Sequence, residues 1–204
     1  MNNIILIEPQ YLPPISFFKM IKNAEGLQFE LHEHYVKSSY RNRCYLPGPN
    51  GVLLLSIPLH SGKVQQHTAM KNVKICYTDD WQKEHWKSIS FLYRSAPYFE
   101  YYEDDFKEIF DTKFEKLADL NIELLKLMLK KLNFTIPITF TNEYLPKYEN
   151  LRDERNKLKP NVPLKNITDL PIYQQVFEDK IGFKPNMSML DLLFSEGNNA
   201  FDLL

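Results

Sequence analysis

The chain has 204 residues, 44% hydrophobic and 25% charged, with a formal net charge of -1. That length holds one sizeable core, and the balanced charge excludes a whole-chain electrostatic drive toward nucleic acid or an acidic membrane. Glycine is scarce, at 6 residues, and neither G-x-G-x-x-G nor G-x-x-x-x-G-K-[ST] occurs, which excludes glycine-rich phosphate loops; no apolar run reaches the length of a membrane span. The two cysteines, Cys44 and Cys76, lack C-x-x-C spacing and read as reduced thiols of a cytoplasmic protein. The N-terminus runs straight into an apolar stretch with no basic segment and no small-residue cleavage site, so no signal peptide is expected.

Ile4 to Ile7 is a continuous apolar run, as in a strand covered on both faces. It stops at Glu8-Pro9-Gln10-Tyr11-Leu12-Pro13-Pro14, a polar turn bracketed by prolines, and Ile15 to Lys22 follows with helical spacing. Ligands of open α/β sheets bind beside such strand ends, so Gln10 and Tyr11 are site candidates. Leu27 to Val36 reads as a second strand, with Glu30, His32 and His34 on one face. These three are the one metal-like cluster, but nothing in an i, i+2 spacing makes them converge, and no metal site is assigned. Pro47 to Gly51 is a turn that joins Cys44–Leu46 to Val52–Ile57 as an antiparallel hairpin. His60 to Ala69 reads as irregular, and Lys71 to Tyr77 as a short strand.

Asp79 or Asp80 caps a helix starting at Trp81, with Trp81, His85, Ser88, Ile89, Leu92 and Ala96 on one stripe. Phe106 to Asp111 and Phe114 to Leu132 read as further helices, Thr135 to Phe140 as a strand that Pro137 places at an edge, and Asn150 to Pro163 as mostly loop. Tyr173 to Glu178 reads as a turn or two of helix, and Ser188 opens a closing helix, Met189 to Phe194, that stops at Gly197. The expected architecture is a single α/β domain spanning residues 1–204, with a mixed, mostly parallel sheet, an added antiparallel hairpin and flanking helices.

His85 sits on the face expected to be buried, where an imidazole serves either as a general acid or base or as a core side chain bonded to backbone. Asn42 and Arg43 pair an amide with a guanidinium fork suited to carboxylate or phosphate; Arg41 and Lys37 add positive charge, and a solvated basic loop is the competing reading. Lys159 and Arg152 are further cations, and Tyr93, Tyr98 and Tyr101 suit either sugar stacking or an aromatic corner. There is no G-x-S-x-G elbow and no cysteine–histidine pair near in sequence.

These segments resemble, in order, the WbqC-like proteins. Glu8 to Pro14 resembles that family's Q-P-x-Y-x-P opening, and Tyr35 with Lys37 to Arg43 its segment ending in Asn-Arg. Leu55-Ser56-Ile57-Pro58, Trp81 with His85, Tyr93 with Ala96 to Phe99, and Asn186 to Phe194 with Gly197 follow in the expected sequence. Where many members carry acidic residues on the second strand this chain has Leu31 and His32, with Glu30 and Glu33 displaced; Glu33-His34-Tyr35 looks like a branch met in Bacteroidetes-type bacteria. The resemblance implies a transferase in modification of bacterial surface-polysaccharide (O-antigen-type) precursors, with acyl or aminoacyl (glycine) transfer to a sugar. It groups Gln10, Asn42, Arg43 and His85 in one site; together with the residue reading, His85 is the expected general base and Gln10, Tyr11, Asn42, Arg43, Tyr93 and Lys159 are the expected binding residues. The partner expected is a small molecule, a sugar or nucleotide-sugar, with no nucleic acid; no cofactor is named. The alternative is a non-catalytic binding or assembly protein using the same anion pocket.

Overall fold

The computed structural model describes residues 3–60, 67–160 and 169–204. The apolar run at the N-terminus forms β1 (Ile4–Ile7), whose last three residues are fully buried. The chain turns through Pro13 and Pro14 into α1 (Ile15–Ile21) and returns as β2 (Gly26–Phe29), parallel to β1. Gly26 is the first residue of that strand.

β2 ends at Phe29, well short of Val36. The reason is Glu30, whose buried carboxylate accepts from the His32 amide at 2.8 Å and from the Thr141 hydroxyl at 3.0 Å, which bends the chain out of the sheet. The hairpin forms as expected, from β3 (Arg43–Gly48) and β4 (Gly51–Ser56), with Gly48 opposite Gly51. It is a separate two-stranded sheet. Lys71 to Tyr77 makes only isolated bridges, Leu59 to Ile75 and Lys74 to Lys116, after a 3-10 turn at Met70–Asn72 whose amides are held by Glu33 and Leu31 carbonyls. Part of the irregular stretch His60–Ala69 (61–66) and the end of the loop Asn150–Pro163 (161–163) lie outside the described residues.

The helices follow as α2 (Trp81–Tyr93), α3 (Phe99–Asp111) and α4 (Leu117–Lys131). α2 buries Trp81, His85, Ile89 and Leu92, the stripe read from spacing. Pro137 precedes β5 (Ile138–Phe140), an edge strand parallel to β2. The charged tract then supplies β6 (Arg152–Asp153), parallel to β1 on its other side. The main sheet is therefore all parallel, in the order β5-β2-β1-β6. α5 (Glu178–Ile181) and α6 (Met189–Glu196) close the chain, and Ser188 caps α6 by accepting from the Leu190 amide at 3.3 Å. Tyr173 to Phe177 is not helical, because Gln175 spends its amide on Lys184 and Asp191. One continuous apolar cluster joins the sheet, the hairpin and the helices. Among the described residues no helix is long and apolar enough to cross a membrane.

Gly197 ends α6 with φ at 60°, and a Cβ there would stand 2.5 Å from the Tyr98 ring. Left-handed backbone costs a non-glycine residue about 1–2 kcal/mol and overpacking about 1–3 more. Gly197→Ala is expected to lose about 2–4 kcal/mol in denaturant unfolding. Gly182, with φ at 68° and open space at its Cβ, should lose only about 1–2 kcal/mol as Gly182→Ala.

A second buried feature lies on α6. Asp191 is fully buried, accepts from Tyr173 Oη at 2.5 Å and Gln175 Nε2 at 2.7 Å, and burial pushes its carboxyl up to about 6. Its other oxygen has no partner. The folded protein thus holds a proton on Asp191 at pH values where the unfolded chain has lost it. This group's share of stability therefore falls as pH rises from about 4 to about 6, by up to about 3 kcal/mol at ~1.4 kcal/mol per unit. Asp191→Asn keeps the acceptor used by Tyr173 and Gln175. It should flatten that slope and raise the melting temperature at pH 7.5.

Candidate functional site

Because all four strands of the main sheet run the same way, their carboxyl ends gather on one edge. Glu8 follows β1, Glu30 follows β2, Thr141 follows β5, and Glu154, Arg155 and Asn156 follow β6. The ladder carries on one step past each strand: Glu30 N donates to Ile7 O, Thr141 N to Phe29 O and Glu154 N to Leu6 O. From β1 the chain moves outward through β2 and β5, then comes back to add β6 on the opposite side. The order reverses between β1 and β6, the place where open α/β sheets bind ligands.

The side chains at that point form a charged crevice. Glu8, Glu30 and Glu33 are buried carboxylates, and Arg41 reaches Glu8 and Glu33 from the segment before the hairpin with its side chain fully buried. Arg41 Nη2 pairs with Glu33 Oε1 and donates to Asn156 Oδ1 at 2.9 Å, with Glu8 Oε2 at 3.8 Å. Asn156 ties the sides together. Its amide N donates to Glu8 Oε2 at 2.9 Å and its Nδ2 to Glu33 Oε2 at 3.0 Å. It does so with φ at 59°, a left-handed conformation that asparagine tolerates and that the surrounding bonds hold in place. Arg155 pairs with Glu30 at 3.1 Å and with Asp153, and lies 5.2 Å from the ring centres of Tyr144 and Tyr148. Burial, followed by the Glu8 charge, raises the pKa of Glu33 against the opposing pull of Arg41 and Asn156.

Gln10 lies in this crevice and donates Nε2 to Glu8 Oε1 at 3.1 Å. Tyr11, the next residue, turns the other way: its hydroxyl meets His85 Nδ1 at 2.8 Å. The His85 ring is also bonded to the Ser56 backbone, and burial pushes its pKa down to about 4. His85 is therefore neutral at pH 7, donating to the Ser56 carbonyl and accepting from Tyr11. Asn42 donates to the Ile57 carbonyl at 2.9 Å and accepts from Tyr35 Oη at 2.7 Å. Tyr35 lies within the fields of both Arg41 and Arg43. Arg43 Nε is buried without a partner, and among the described residues no carboxylate pairs with Arg43. Gln10, Tyr11, Asn42 and Arg43 thus form one run along the 8–11 and 41–43 segments, joined by the bond from Tyr11 N to Tyr40 O, but on two sides: Gln10 faces the crevice, while Tyr11 with His85, and Asn42, face the hairpin.

Lys159 and Tyr93 lie apart from that run. Lys159 lines a cleft of about 310 Å³ with Tyr40, Tyr45, Val52, Pro160, Pro185, Asn186 and Met187. That cleft adjoins the crevice through Tyr40, which precedes Arg41 and accepts from the Tyr11 amide at 2.8 Å, and through Lys159, which follows Asn156 by three residues. Tyr93 is fully buried, its ring 5.1 Å from that of Phe194; burial and then the Asp191 charge keep its hydroxyl protonated. Glu30 and His32 meet at the Thr141 hydroxyl, with His32 Nδ1 3.9 Å from Glu30 Oε1, while His34 is exposed, so the three residues that share a face in sequence do not form one cluster. Among the described residues no group of three or more metal-binding side chains is present. Sequence reasoning did not single out Glu8, Glu33, Arg41 or Asn156 as binding residues. The signal for Asn156 was faint, an asparagine in a charged tract. Arg41 stood beside two named candidates.

The arrangement defines a parallel α/β protein with a carboxylate- and arginine-lined crevice at the switch point of its sheet. The profile of the WbqC-like protein family matches residues 8–159, and the chain belongs to that family. It is similar to the uncharacterized protein Rv1507c of Mycobacterium tuberculosis, at 24% identity over 231 aligned positions that cover all of this chain and 98% of that protein. No solved structure matches. The matched span contains every crevice residue, from Glu8 to Asn156.

Proposed function

We propose that this chain is an acyl or aminoacyl transferase acting on a sugar or nucleotide-sugar precursor of a bacterial surface polysaccharide, in the cytoplasm. The observation that carries the reading is the crevice itself: acid groups and a buried guanidinium meet at the β1/β6 strand ends, with Asn156 bonded to Glu8, Glu33 and Arg41 at once. In the transfer, an amine or hydroxyl of the sugar forms a bond to the acyl carbon, the bond from that carbon to its leaving group breaks, and the acceptor's proton passes to a base. Glu33 suits that step, because burial moves its acidity toward the working pH. His85, neutral and bonded at both nitrogens, suits the holding of Tyr11. Arg41 suits an anionic oxygen of the donor. Arg43 and the outlying Lys159 suit the phosphates of a nucleotide-sugar.

The test is product mass. Purified protein is incubated with acyl-thioester or acyl-phosphate donors and nucleotide-sugars, and the sugar is examined by mass spectrometry for an added acyl group. Transfer by the native protein and its loss in Glu33→Gln is the expected result. Retention of a ligand with no product from any donor–acceptor pair would replace this reading with that of a binding protein.

A further inference from the structure

The unused hydrogen-bonding groups of the crevice specify more than a location. We infer that its Arg41 end holds a small organic acid carrying a hydroxyl or amino group next to its carboxylate. The inference rests on the proposed reading only in using the same crevice, and it needs no transfer to occur.

The two arginines differ in a telling way. Arg155 spends Nε, Nη1 and Nη2 on Asp153, Glu30 and the carbonyls of Leu145 and Pro146. It is a fastened structural group. Arg41 is fully buried, yet only Nη2 is engaged; Nε and Nη1 have no partner. Buried guanidinium N–H groups are almost always paired, so two free ones on one side chain mark a place for an anion.

Two acceptors on side chains bonded to Glu8 and to the Arg41 backbone are also unused. Gln10 Nε2 is committed to the Glu8 carboxylate, which fixes Oε1 as a buried oxygen without a donor. Asn121 Nδ2 donates to the carbonyls of Pro9 and Arg41, which fixes Oδ1 in the same condition. Neither amide can be turned over, since oxygen would then face oxygen. The crevice therefore asks for an acceptor at Arg41 and for donors at Gln10 and Asn121.

Simple anions satisfy half of that demand. Acetate would pair with Arg41 and leave both amide oxygens bare. Phosphate brings two charges into a cluster where four carboxylates, Glu8, Glu30, Glu33 and Asp153, already outnumber two guanidinium groups. A 2-hydroxy acid as its monoanion, or a 2-amino acid as its zwitterion, satisfies both halves, and its small size suits a place with so little exposure.

The test uses the whole chain with glycolate, glycine, acetate and inorganic phosphate as probes. Calorimetry gives the affinities, and the arginine Nε–H resonances in 1H–15N spectra report on Arg41. Glycolate or glycine should bind about tenfold or more tighter than acetate and phosphate, the worth of one added hydrogen bond, and should shift the Arg41 resonance. Whichever of the two binds tighter identifies the donor. Arg41→Lys keeps a cation beside Glu33 but removes Nε–H, and should weaken binding about tenfold or more. Gln10→Leu should bring glycolate down to the level of acetate and leave acetate unchanged. No binding of any carboxylate at millimolar concentration, which would leave ordered water as the occupant, overturns the inference. So does phosphate binding tighter than both acids, or binding that neither variant alters. The shift on the native protein keeps the test decisive even where Arg41→Lys fails to fold. Product mass in the transfer assay does not depend on this result, so each can fail alone.

Discussion

Arg41→Met should lower stability by about 3–5 kcal/mol, the usual cost of stripping the partner from a buried ion pair. The side chain volume is similar, so the loss is electrostatic: Glu8 and Glu33 remain buried with no guanidinium between them. That cause has a pH signature. Without Arg41 the two carboxylates favour their protonated forms more strongly in the folded protein than in the unfolded chain, so the variant's stability falls as pH rises. Its deficit against the native protein should be largest near pH 7.5 and shrink toward pH 5. Chemical denaturation at the two pH values reads this directly, and a deficit that does not vary with pH would mean that packing, not charge, sets the role of Arg41. The double variant Arg41→Met/Glu33→Gln should recover part of the loss, a coupling of about 1–3 kcal/mol.

How much of this was legible beforehand follows from what spacing can and cannot encode. β1, α1, the hairpin, α2 and α4 each carry a run or stripe of apolar residues, and each lies where that pattern put it to within a few residues. β6 carries none. Arg152 and Asp153 pair with Ile5 and Leu6 through backbone alone, and their side chains give no period to read. Yet β6 is what creates the switch point, so the crevice could be sited at Gln10 from the strand-end rule while its far wall stayed invisible. Direction was hidden as well. Arg41, Asn42 and Arg43 are consecutive, and which of them faces Glu33 depends on the twist of a short segment. The guanidinium that enters the crevice is Arg41, while Asn42 turns to the hairpin at Ile57. His85 fell on its expected face, but spacing does not report that Ser56 and Tyr11 would occupy both ring nitrogens. The displaced glutamates show the same limit. Glu30 and Glu33, read as out of place on a strand, both enter the crevice because β2 ends at Phe29.

Glu33→Gln should reduce turnover by about 100- to 10,000-fold, the range expected when a proton-transferring group is removed. The variant also has a structural cost, because a glutamine that keeps its oxygen toward Arg41 turns its NH2 toward Asn156 Nδ2, donor against donor. Asn156 cannot turn to accept, since its oxygen serves Arg41. About 1–3 kcal/mol of stability should be lost with the turnover, and a single variant would leave the two effects entangled. The exchange Glu33→Gln/Asn156→Asp separates them. It returns an acceptor to face the new NH2, keeps an oxygen on Arg41 and restores the net charge of the crevice, while position 33 stays unable to take a proton. Stability should come back to within about 1 kcal/mol of native, and turnover should stay low. Recovery of turnover together with stability would make Glu33 a strut of the Arg41 network and send the search for the base elsewhere in the crevice, to Glu8 or Glu30.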